Sequence, residues 1–302
     1  MCLSHQPDSN GERINMVETT NTQPLIAFQG VEGAYSHIAC KNACPDYQPL
    51  ACSRFSGMIS AVQDKQAELA MVPVENSTAG RVSDIHHILP ESGLHIIGEH
   101  YQPVSHRLLG VAGASLSDIT EVHSHEQGLA QCRHELMQLG IKPVIHPDTA
   151  GAAKDIALRG EKHVGAIASS LAAEIYGLDV LKEDINDSAE NTTRFLIMSR
   201  SPKTPPADIP AMTTMIFQVR SVPAVLYKAL GGFATNGINL TKLESYMIGN
   251  QFEAAQFYID CEGHIESDAL KMALEELRFY CVNDGIQILG CYPASPSRQL
   301  NG

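Results

Sequence analysis

Side chains able to do chemistry stand at three successive positions, Thr193, Arg194 and Phe195, directly before the apolar run 196–198. A hydroxyl donates a hydrogen bond to a departing oxygen, and a guanidinium binds a carboxylate through two N–H groups. If a strand begins near Thr193, its alternation sends Thr193 and Phe195 to one face and Arg194 to the other. At the mouth of the strand, before the sheet fixes those faces, all three can converge on one small anion. The alternative is an ordinary polar segment leading into a strand.

A glycine-containing turn, GVEGAYS at residues 30–36, follows the strand-like residues 25–28. A turn between a strand and a helix presents free backbone N–H groups and the positive end of the helix dipole, which favour an anion. The spacing differs from G-x-G-x-x-G and no acidic ribose partner is evident, which argues against a dinucleotide site. The alternative is a tight turn without a ligand.

Polar side chains also follow the buried strand predicted at residues 69–72, in the segment PVENSTAG at residues 73–80. Glu75, Asn76 and Ser77 stand where this strand ends, and open α/β sheets bind ligands at the carboxyl ends of their strands. The alternative, which is compatible with the first interpretation, is an N-cap cluster in which Asn76 or Ser77 starts the next helix.

A fourth polar segment, SHEQGLAQC at residues 124–132, leads into a predicted amphipathic helix. Ser124 fits an N-cap, with Gln127 three residues later as in a capping box. Gln127 and Gln131 lie four residues apart on one helix face and would form a neutral, hydrogen-bonding wall. The consecutive Ser-His-Glu at the start of the segment cannot form a relay, because adjacent residues do not face one another; this excludes a serine hydrolase.

These four segments occur in the order found in prephenate dehydratases, and the chain resembles that family over about residues 24–200. The resemblance implies a lyase that converts prephenate to phenylpyruvate, CO2 and water in phenylalanine biosynthesis. It also implies a bilobed catalytic region like that of periplasmic binding proteins, with the catalytic cleft between the lobes. The downstream segment resembles an ACT regulatory domain.

The composition is that of an ordinary globular protein, with 44% hydrophobic and 18% charged residues. The length of 302 residues fits about two or three domains. The net charge of −13 argues against nucleic acid or an anionic membrane as a partner, and no run approaches the roughly 20 apolar residues of a membrane span. A dianionic substrate would therefore need a locally positive pocket inside an acidic protein.

The eight cysteines include no C-x-x-C pair, which favours free buried thiols in the cytosol over disulfides. The thirteen histidines are scattered, so we predict no metal site, and the reaction that the resemblance implies requires no cofactor. Residues 1–23 are polar and lack the apolar stretch of a signal peptide. They are predicted to be a disordered tail of a cytoplasmic protein.

From residue 25 to residue 200, short apolar strands alternate with helical patterns, which predicts an α/β architecture with largely parallel strands. The predicted strands are 25–29, 69–74, 94–99, 107–112, 121–123, 142–146, 163–168 and 193–199, and the predicted helices are 35–43, 57–65, 128–139, 149–159 and 169–176. Segments 102–106 and 185–191 are the predicted crossovers. Together with the bilobed fold that the resemblance implies, these crossovers predict that lobe 1 comprises about residues 24–101 and 186–200 and that lobe 2 comprises about residues 102–185.

A proline-rich linker, residues 201–211, precedes a second region of predicted strands and helices at residues 212–293. The predicted elements of this region are strand 213–220, helix 224–235, strands 238–248 and 252–261, helix 267–281 and strand 286–292. Gly249 and Asn250 are predicted to form a hairpin turn. This βαββαβ order is the ferredoxin-like plan, and residues 294–302 are predicted to be a tail.

Catalysis is assigned to Thr193, Asn76 and Glu75 on the motif positions that match the family. Thr193 would donate a hydrogen bond to the departing hydroxyl of prephenate. A threonine hydroxyl is too weak an acid to be the ultimate proton source, so a carboxyl with a raised pKa, such as Glu75, a histidine or bound water must supply the proton.

Arg194 is assigned to a substrate carboxylate, with a structural ion pair as the alternative. Phe195 would shield the substrate ring from water or belong to the core, and His106 would add a donor or be a structural histidine. The remaining substrate-binding residues, which would orient the substrate through neutral hydrogen bonds, are Ser77, Ser124 and Gln131.

The resemblance also implies phenylalanine as an effector, bound at the interface of a homodimer or homotetramer. The effector-binding positions that match the family are Ala224, Val225, Leu226, Asn239, Leu240, Thr241, Glu244 and Ser245. The chain departs from the family where Ala224 replaces a glycine and where Tyr246-Met247 replaces Arg-Pro. The alternative is an ACT domain that only holds subunits together.

Two other functions compete with this prediction. An arogenate dehydratase would perform the same chemistry on an amino acid. A bilobed sensor would bind a ligand without turning it over, although the Thr-Arg-Phe group and the missing export signal count against it.

Overall fold

The computed structural model describes residues 23–82, 85, 88–188, 190–247 and 255–301, which form three β-sheets with helices packed against them. The elements of the first two sheets are β1 Leu25–Gln29, α1 Tyr35–Ala43, β2 Gln48–Cys52, α2 Phe55–Gln63, β3 Leu69–Asn76, β4 Gly80–Arg81, β5 His95–Pro103, β6 Arg107–Val111, β7 Glu121–Ser124, α3 Glu126–Gln131, α4 Arg133–Leu139, β8 Lys142–Ile145, α5 Thr149–Arg159, β9 Val164–Ala168, α6 Ser170–Tyr176, β10 Leu178–Lys182 and β11 Thr192–Ser199.

The first sheet, which we call lobe 1 with its helices, has the strand order β2-β1-β3-β11-β5, and β4 pairs with β3. The second sheet, lobe 2, has the order β10-β6-β9-β7-β8. The chain passes into lobe 2 after β5 and returns through β11, which enters lobe 1 antiparallel to both β3 and β5. Because of this return, and because β6 runs antiparallel to β9 and β10, the strands are mixed rather than largely parallel as predicted.

Local sequence explains the central strands and the helix starts. Six consecutive residues of β3, from Leu69 to Val74, are buried, as expected of a strand covered on both faces. In lobe 2, α5 begins after Asp148, whose carboxylate accepts a hydrogen bond from the Gly151 N–H. The Ser169 hydroxyl oxygen accepts one from the Ala172 N–H and caps α6 in the same way.

The two lobes touch at the turn after β1. Gly33 has φ +87°, and a Cβ on it would lie 2.8 Å from the Cα of Ala172 in α6. The Ser169 hydroxyl donates to the Gly33 carbonyl oxygen at 2.6 Å, and the Tyr176 hydroxyl donates to the Glu32 carbonyl oxygen at 2.8 Å. Only glycine allows this conformation together with this close approach. The contact holds the turn after β1 against α6.

The third sheet, which we call the C-terminal domain with its helices, follows the linker. Its elements are β12 Ala211–Val219, α7 Val225–Thr235, β13 Leu240–Met247, β14 Ala255–Glu262, α8 Asp268–Tyr280 and β15 Cys281–Pro293. The strand order β13-β14-β12-β15 is antiparallel throughout. This confirms the predicted βαββαβ plan, and with the two lobes it confirms the α/β class of the fold. The predicted hairpin turn at 249–250 lies outside the described residues.

The C-terminal domain packs directly on lobe 1. One apolar cluster joins Val72 and Leu196 of lobe 1 to Met212, Tyr258 and Tyr292 of the C-terminal domain. β15 also lies against β5 so closely that a Cβ on Gly290 would lie 2.1 Å from the Ile96 carbonyl oxygen. The two domains therefore share a core instead of being held apart by the linker.

Several elements differ from the prediction. The predicted helix 128–139 is two helices, α3 and α4, that meet at Cys132, where φ is −118°. Ser124 is the last residue of β7 rather than an N-cap; His125 takes that position through its Nδ1, which accepts from the Gln127 N–H at 3.3 Å. The prediction omits β2 and β10, which are edge strands of their sheets, and the two-residue strand β4.

Within the described part of the chain, no helix combines the length and the apolar character needed to cross a lipid bilayer.

Candidate active site

A cleft of about 400 Å³ lies between the two lobes, and all four polar segments of the sequence contribute to its wall. The lining residues that could act on a ligand are Tyr35, Ser36, Asn76, His106, His125, Gln127, Gln131, Asp148, Thr149, Thr193 and Phe195. Three of the catalytic and substrate-binding residues predicted from the sequence besides Thr193 are among them, namely Asn76, Gln131 and Phe195. Glu75, Ser77, Ser124 and Arg194 are not.

Thr193 and Asn76 form one pair at the wall of the cleft. They are directly opposite each other in the β11–β3 register, and the Asn76 Nδ2 donates to the Thr193 Oγ1 at 2.9 Å. The Asn76 Oδ1 accepts hydrogen bonds from the N–H groups of Thr78 and Ala79, which fixes which way the amide points. The Thr193 hydroxyl thus accepts one hydrogen bond and keeps its own proton for donation into the cleft.

The direction of the neighbouring side chains follows from the strand geometry. β11 begins at Thr192, so the sheet already fixes its faces at Thr193. Thr193 and Phe195 line the cleft, and Arg194 lies on the other face. The register shifts between Arg194 and Phe195, where a β-bulge interrupts the pairing with β3. Bulges beside active sites commonly re-aim side chains, and this one lies between two cleft-lining positions.

A chain of hydrogen bonds continues from this pair into lobe 2. The Asn76 Nδ2 donates to the Asn191 Oδ1 at 2.8 Å, and the Asn191 Nδ2 donates to the Gln131 Oε1 at 2.9 Å. The same Gln131 oxygen lies 2.9 Å from the His106 Nε2. Asn191, which sequence reasoning did not assign to the site, therefore joins the two lobes; its only signal was its place in the motif of residues 190–195.

His106 and Tyr35 end this chain. The Tyr35 hydroxyl lies 2.9 Å from the His106 Nδ1 and 2.8 Å from the Ser105 carbonyl oxygen. Burial lowers the pKa of His106, and the hydrogen bond to Gln131 opposes this only in part. Burial likewise raises the pKa of Tyr35 well above its ordinary value. Both rings are therefore neutral hydrogen-bonding groups at neutral pH.

Partial positive charge in the cleft wall is available from backbone N–H groups rather than from basic side chains. Among the described residues that line it there is no lysine or arginine. Instead, the first turns of three helices reach its wall: α1 at Tyr35 and Ser36, α3 at Gln127 and Gly128, and α5 at Thr149. Free N–H groups at a helix start carry partial positive charge and bind carboxylates. This arrangement suits a small anion, although the Gln127 N–H is already bonded to His125 and α5 is already capped by the Asp148 carboxylate.

Arg194 and Glu75 lie outside the cleft and pair with each other. The Arg194 Nη1 donates to the Glu75 Oε1 at 2.9 Å, and the Lys242 Nζ donates to the Glu75 Oε2 at 2.6 Å. Burial acts to raise the pKa of Glu75, but Lys242 and Arg194 together outweigh it and the pKa is lowered. A proton source at neutral pH needs a raised pKa, and the structure gives Glu75 the opposite shift.

Two serines that were predicted to bind the substrate make hydrogen bonds to the protein backbone. The Ser124 side chain is fully buried, and its hydroxyl donates to the Ile167 carbonyl oxygen at 2.6 Å. The Ser77 hydroxyl donates to the Glu190 carbonyl oxygen at 3.3 Å and accepts from the Thr192 N–H at 3.0 Å. Phe195, by contrast, lines the cleft and is also buried in the core of lobe 1. Its place in the core is thus confirmed, and its role against the substrate ring stays a prediction.

The predicted effector residues fall in two places. Val225 and Leu226 line a groove of about 300 Å³ in the C-terminal domain, together with Val222 and Phe257. Ala224, where the family has glycine, starts α7 in the left-handed region with φ 58°. The remaining predicted effector residues, which lie just before or on the edge strand β13 and do not line this groove, are Asn239, Leu240, Thr241, Glu244 and Ser245.

Metal ligands do not converge anywhere in the residues that the structure describes, since no three His, Cys, Asp or Glu side chains form such a group.

A family model described as prephenate dehydratase matches residues 26–203 of the chain. A Komagataeibacter europaeus protein named bifunctional N-acyl-homoserine lactone acylase/prephenate dehydratase is 50% identical over 280 residues, covering 92% of this chain and 99% of the relative. An Arabidopsis thaliana protein named arogenate dehydratase/prephenate dehydratase 1, chloroplastic, is 40% identical over 282 residues, covering 89% of this chain and 71% of the relative.

The fold is similar to that of a solved structure, the prephenate dehydratase from Arthrobacter aurescens in complex with L-Phe. The TM-score is 0.81 and the sequence identity is 28%, with 92% of this chain and 96% of that chain covered. The similarity extends over both lobes and the C-terminal domain.

Proposed function

This chain belongs to the prephenate dehydratase family and is a lyase of the dehydratase class, and we propose that its substrate is prephenate. The proposed reaction yields phenylpyruvate, CO2 and water in L-phenylalanine biosynthesis, in the cytoplasm. The observation that carries the proposal is the Thr193 hydroxyl, held by Asn76 at the wall of the cleft with its proton free to donate. Family membership also sets aside the alternative of a bilobed sensor without catalysis.

The proposed reaction fits the geometry of the cleft. Prephenate carries a ring carboxylate and a pyruvyl group on one carbon and a hydroxyl across the ring. The bond to the ring carboxylate breaks, its electron pair enters the ring, and the C–O bond to the hydroxyl breaks as the ring becomes aromatic. Thr193 donates a hydrogen bond to that departing oxygen, which leaves as water after gaining a proton. The two carboxylates bind at the helix starts of the cleft wall.

The proton source is proposed to be bound water or His125, the cleft histidine other than the neutral His106. Glu75 lies outside the cleft with a lowered pKa, which removes the carboxyl considered from the sequence. The amides of Asn76, Asn191 and Gln131 orient Thr193 but do not relay protons, because an amide N–H is a far weaker acid than a hydroxyl or an imidazolium. Arg194 takes the structural ion-pair role that the sequence left open.

We propose further that the C-terminal domain is an ACT domain that binds phenylalanine and inhibits the enzyme, in a homodimer or homotetramer. The relative from Arthrobacter aurescens was solved in complex with L-Phe and is similar over both regions of the chain. The βαββαβ plan and the groove beside α7 fit this role. Inhibition requires that phenylalanine bind an inactive state more tightly than the active one.

One assay tests both proposals. The purified protein is incubated with prephenate, and phenylpyruvate formation is followed with and without phenylalanine. Turnover that phenylalanine suppresses supports both. Turnover that phenylalanine leaves unchanged supports the dehydratase and contradicts the effector proposal. Absence of turnover contradicts prephenate as the substrate.

Arogenate is the alternative substrate, and the plant relative whose name includes both activities is the reason to test it. The ratio of kcat/KM for the two substrates decides between them. A higher value for arogenate would replace prephenate as the proposed substrate without changing the chemistry at Thr193.

The Komagataeibacter relative gives a second candidate activity, hydrolysis of N-acyl-homoserine lactones, since it is similar over nearly the whole length of both chains. Incubation with an N-acyl-homoserine lactone, followed by mass spectrometry for free homoserine lactone, tests this activity. Assaying Thr193→Ala alongside shows whether the two activities share a residue.

A further inference from the structure

The Arg194 side chain connects lobe 1 to the C-terminal domain. Its Nε donates to Glu99 on β5 at 2.9 Å, and its Nη1 donates to Asp260 on β14 at 2.5 Å as well as to Glu75 on β3. Its Nη2 donates to the Tyr292 hydroxyl on β15 at 3.0 Å. One guanidinium therefore holds two strands of the catalytic sheet and two strands of the C-terminal sheet.

The buried charges make the position of Arg194 depend on Asp260. The Arg194 side chain is 2% exposed, and those of Glu99 and Asp260 are fully buried. A charge removed from water needs close partners, and removing one partner leaves the other uncompensated. Asp260 is itself held by the Thr214 hydroxyl, which donates to its Oδ1 at 2.6 Å. Asp260 thus sets where the guanidinium lies together with Glu99 and Glu75 of lobe 1.

The strand register brings this cluster next to the proposed catalytic pair. In the β11–β3 ladder, Arg194 is opposite Glu75 and Thr193 is opposite Asn76, so the ion pair is the next rung after the catalytic pair. A displacement of the backbone at Arg194 or Glu75 moves the backbone of Thr193 or Asn76, because each is one peptide bond away. The bulge follows immediately on the other side, where the ladder gives less support.

A second contact between the domains acts on Glu75. The Lys242 Nζ, on β13 of the C-terminal domain, donates to Glu75 at 2.6 Å and pairs with Glu244 at 2.7 Å. Lys242 is 10% exposed, so it reaches the cluster from near the surface. Both members of the rung Arg194–Glu75 are therefore held by the C-terminal domain, one through Asp260 and the other through Lys242.

We propose that Asp260 and Lys242 are positioning residues for catalysis: from the C-terminal domain they hold Arg194 and Glu75, and so align Thr193 and Asn76 with the departing hydroxyl. This inference rests on the proposed dehydratase function. Neither residue lines the cleft, so the effect concerns turnover rather than substrate binding. A displacement on the order of 1 Å at a catalytic group lowers the rate roughly 10²-fold.

The experiment compares four variants of the full chain with the wild type. Asp260→Asn keeps the shape and removes the charge, and Lys242→Met removes the amine at a less buried position. Lys242→Arg restores a cation to Glu75. Asp268→Asn, at an exposed position at the start of α8 in the same domain, is the matched control. Circular dichroism and thermal unfolding establish that each variant is folded.

In the prephenate assay we expect Asp260→Asn and Lys242→Met to lower kcat by roughly 10- to 100-fold with KM almost unchanged. Lys242→Arg should regain most of the lost kcat, and Asp268→Asn should match the wild type. A folded Lys242→Met with the wild-type kcat would overturn the proposal, as would a Lys242→Arg no better than Lys242→Met. If Asp260→Asn does not fold, the two Lys242 variants decide.

Hydrogen exchange supplies a readout that does not depend on the substrate. Amide exchange in residues 192–195 and 75–77 should become faster in Asp260→Asn and Lys242→Met, and stay unchanged in Asp268→Asn. Unchanged exchange in both variants would overturn the proposed positioning. If exchange becomes faster in the two variants but the wild type does not turn over prephenate, the result counts against the proposed function and not against the positioning.

Discussion

At the scale of single residues, the proposed site depends on the Thr193 hydroxyl, which is positioned by a hydrogen bond from Asn76. The Asn76 amide fixes the Thr193 oxygen, and two backbone N–H groups fix the Asn76 amide. This rigidity is what lets a weak donor act in the transition state, because no reorganisation is needed when the C–O bond breaks.

Thr193→Ala should leave the fold intact and lower kcat by roughly 10²–10³, as for loss of one transition-state donor. Among the described residues the Thr193 hydroxyl has a single hydrogen-bond partner, so little stability is lost with it. Steady-state assays with prephenate measure the effect, and Thr192→Ala, which removes a neighbouring hydroxyl outside the cleft, is the matched control. A Thr193→Ala enzyme that turns over as fast as the wild type would refute the assigned role.

His106 should make stability depend on pH. Burial lowers its pKa from 6.5, so well above pH 6.5 both folded and unfolded protein carry a neutral imidazole and it contributes nothing to the pH dependence. As the pH falls below 6.5, the unfolded chain binds a proton that the folded protein resists, and the free energy of unfolding decreases. Urea unfolding at pH 7.5 and 5.5 should show a smaller decrease for His106→Asn than for the wild type. Equal decreases would contradict the shift.

The residues of the site were predictable as far as their types and order go. The four polar segments each follow a strand or start a helix, and they meet at one cleft as such positions tend to do. The direction of Arg194 was not predictable, because it depends on Asp260, 66 residues further along the chain. The alternation of β11 correctly predicts that Arg194 lies on the face opposite to Thr193 and Phe195. The competing prediction, that all three side chains converge on one anion, assumed that the sheet does not yet fix the faces at the mouth of the strand.

At the scale of elements, two of the four edge strands of the lobes, β2 and β10, were not predicted from the sequence. β2 and β10 lie at the edges of their sheets and are largely exposed or half-buried, so their apolar pattern is weak. The central strands β3 and β9 are buried almost throughout and were recognised from their apolar runs. Secondary structure was thus most predictable where burial imposes the strongest pattern.

The close approach of β15 to β5 gives a prediction at this scale. Gly290→Ala would place a Cβ against the Ile96 backbone, which cannot turn away as a flexible side chain can. We expect a loss of about 3 kcal/mol in the free energy of unfolding, at the upper end for overpacking. Gly231→Ala in α7, where a Cβ meets nothing within 4 Å, is the control and should be neutral or stabilising. Equal unfolding midpoints in urea for both variants would contradict the close contact.

At the scale of the whole molecule, the C-terminal domain completes the core of lobe 1. A proline-rich linker is typical of domains held apart, yet Met212, Tyr258 and Tyr292 share one apolar cluster with Val72 and Leu196. The sequence revealed the two patterns and the linker between them. It did not reveal their docking, because contacts between domains leave no periodic signal in either pattern.

A chain ending at residue 203 should therefore fail to fold as a stable monomer. Removing the C-terminal domain exposes the apolar face of lobe 1 and leaves Arg194 without Asp260 and Glu99 without Arg298. We expect aggregation in size-exclusion chromatography and strong binding of a hydrophobic dye, with the full chain as the control. A monomeric fragment that unfolds cooperatively would contradict the shared core.

Gly290 also limits how this chain can be rebuilt by recombination. A regulatory domain transplanted from another protein would need a residue without a side chain where its last strand meets Ile96. It would need a carboxylate at the place of Asp260 as well, since Arg194 remains with the recipient. The two halves are therefore not interchangeable modules, and a functional chimera requires that β5 and β15 be transferred together.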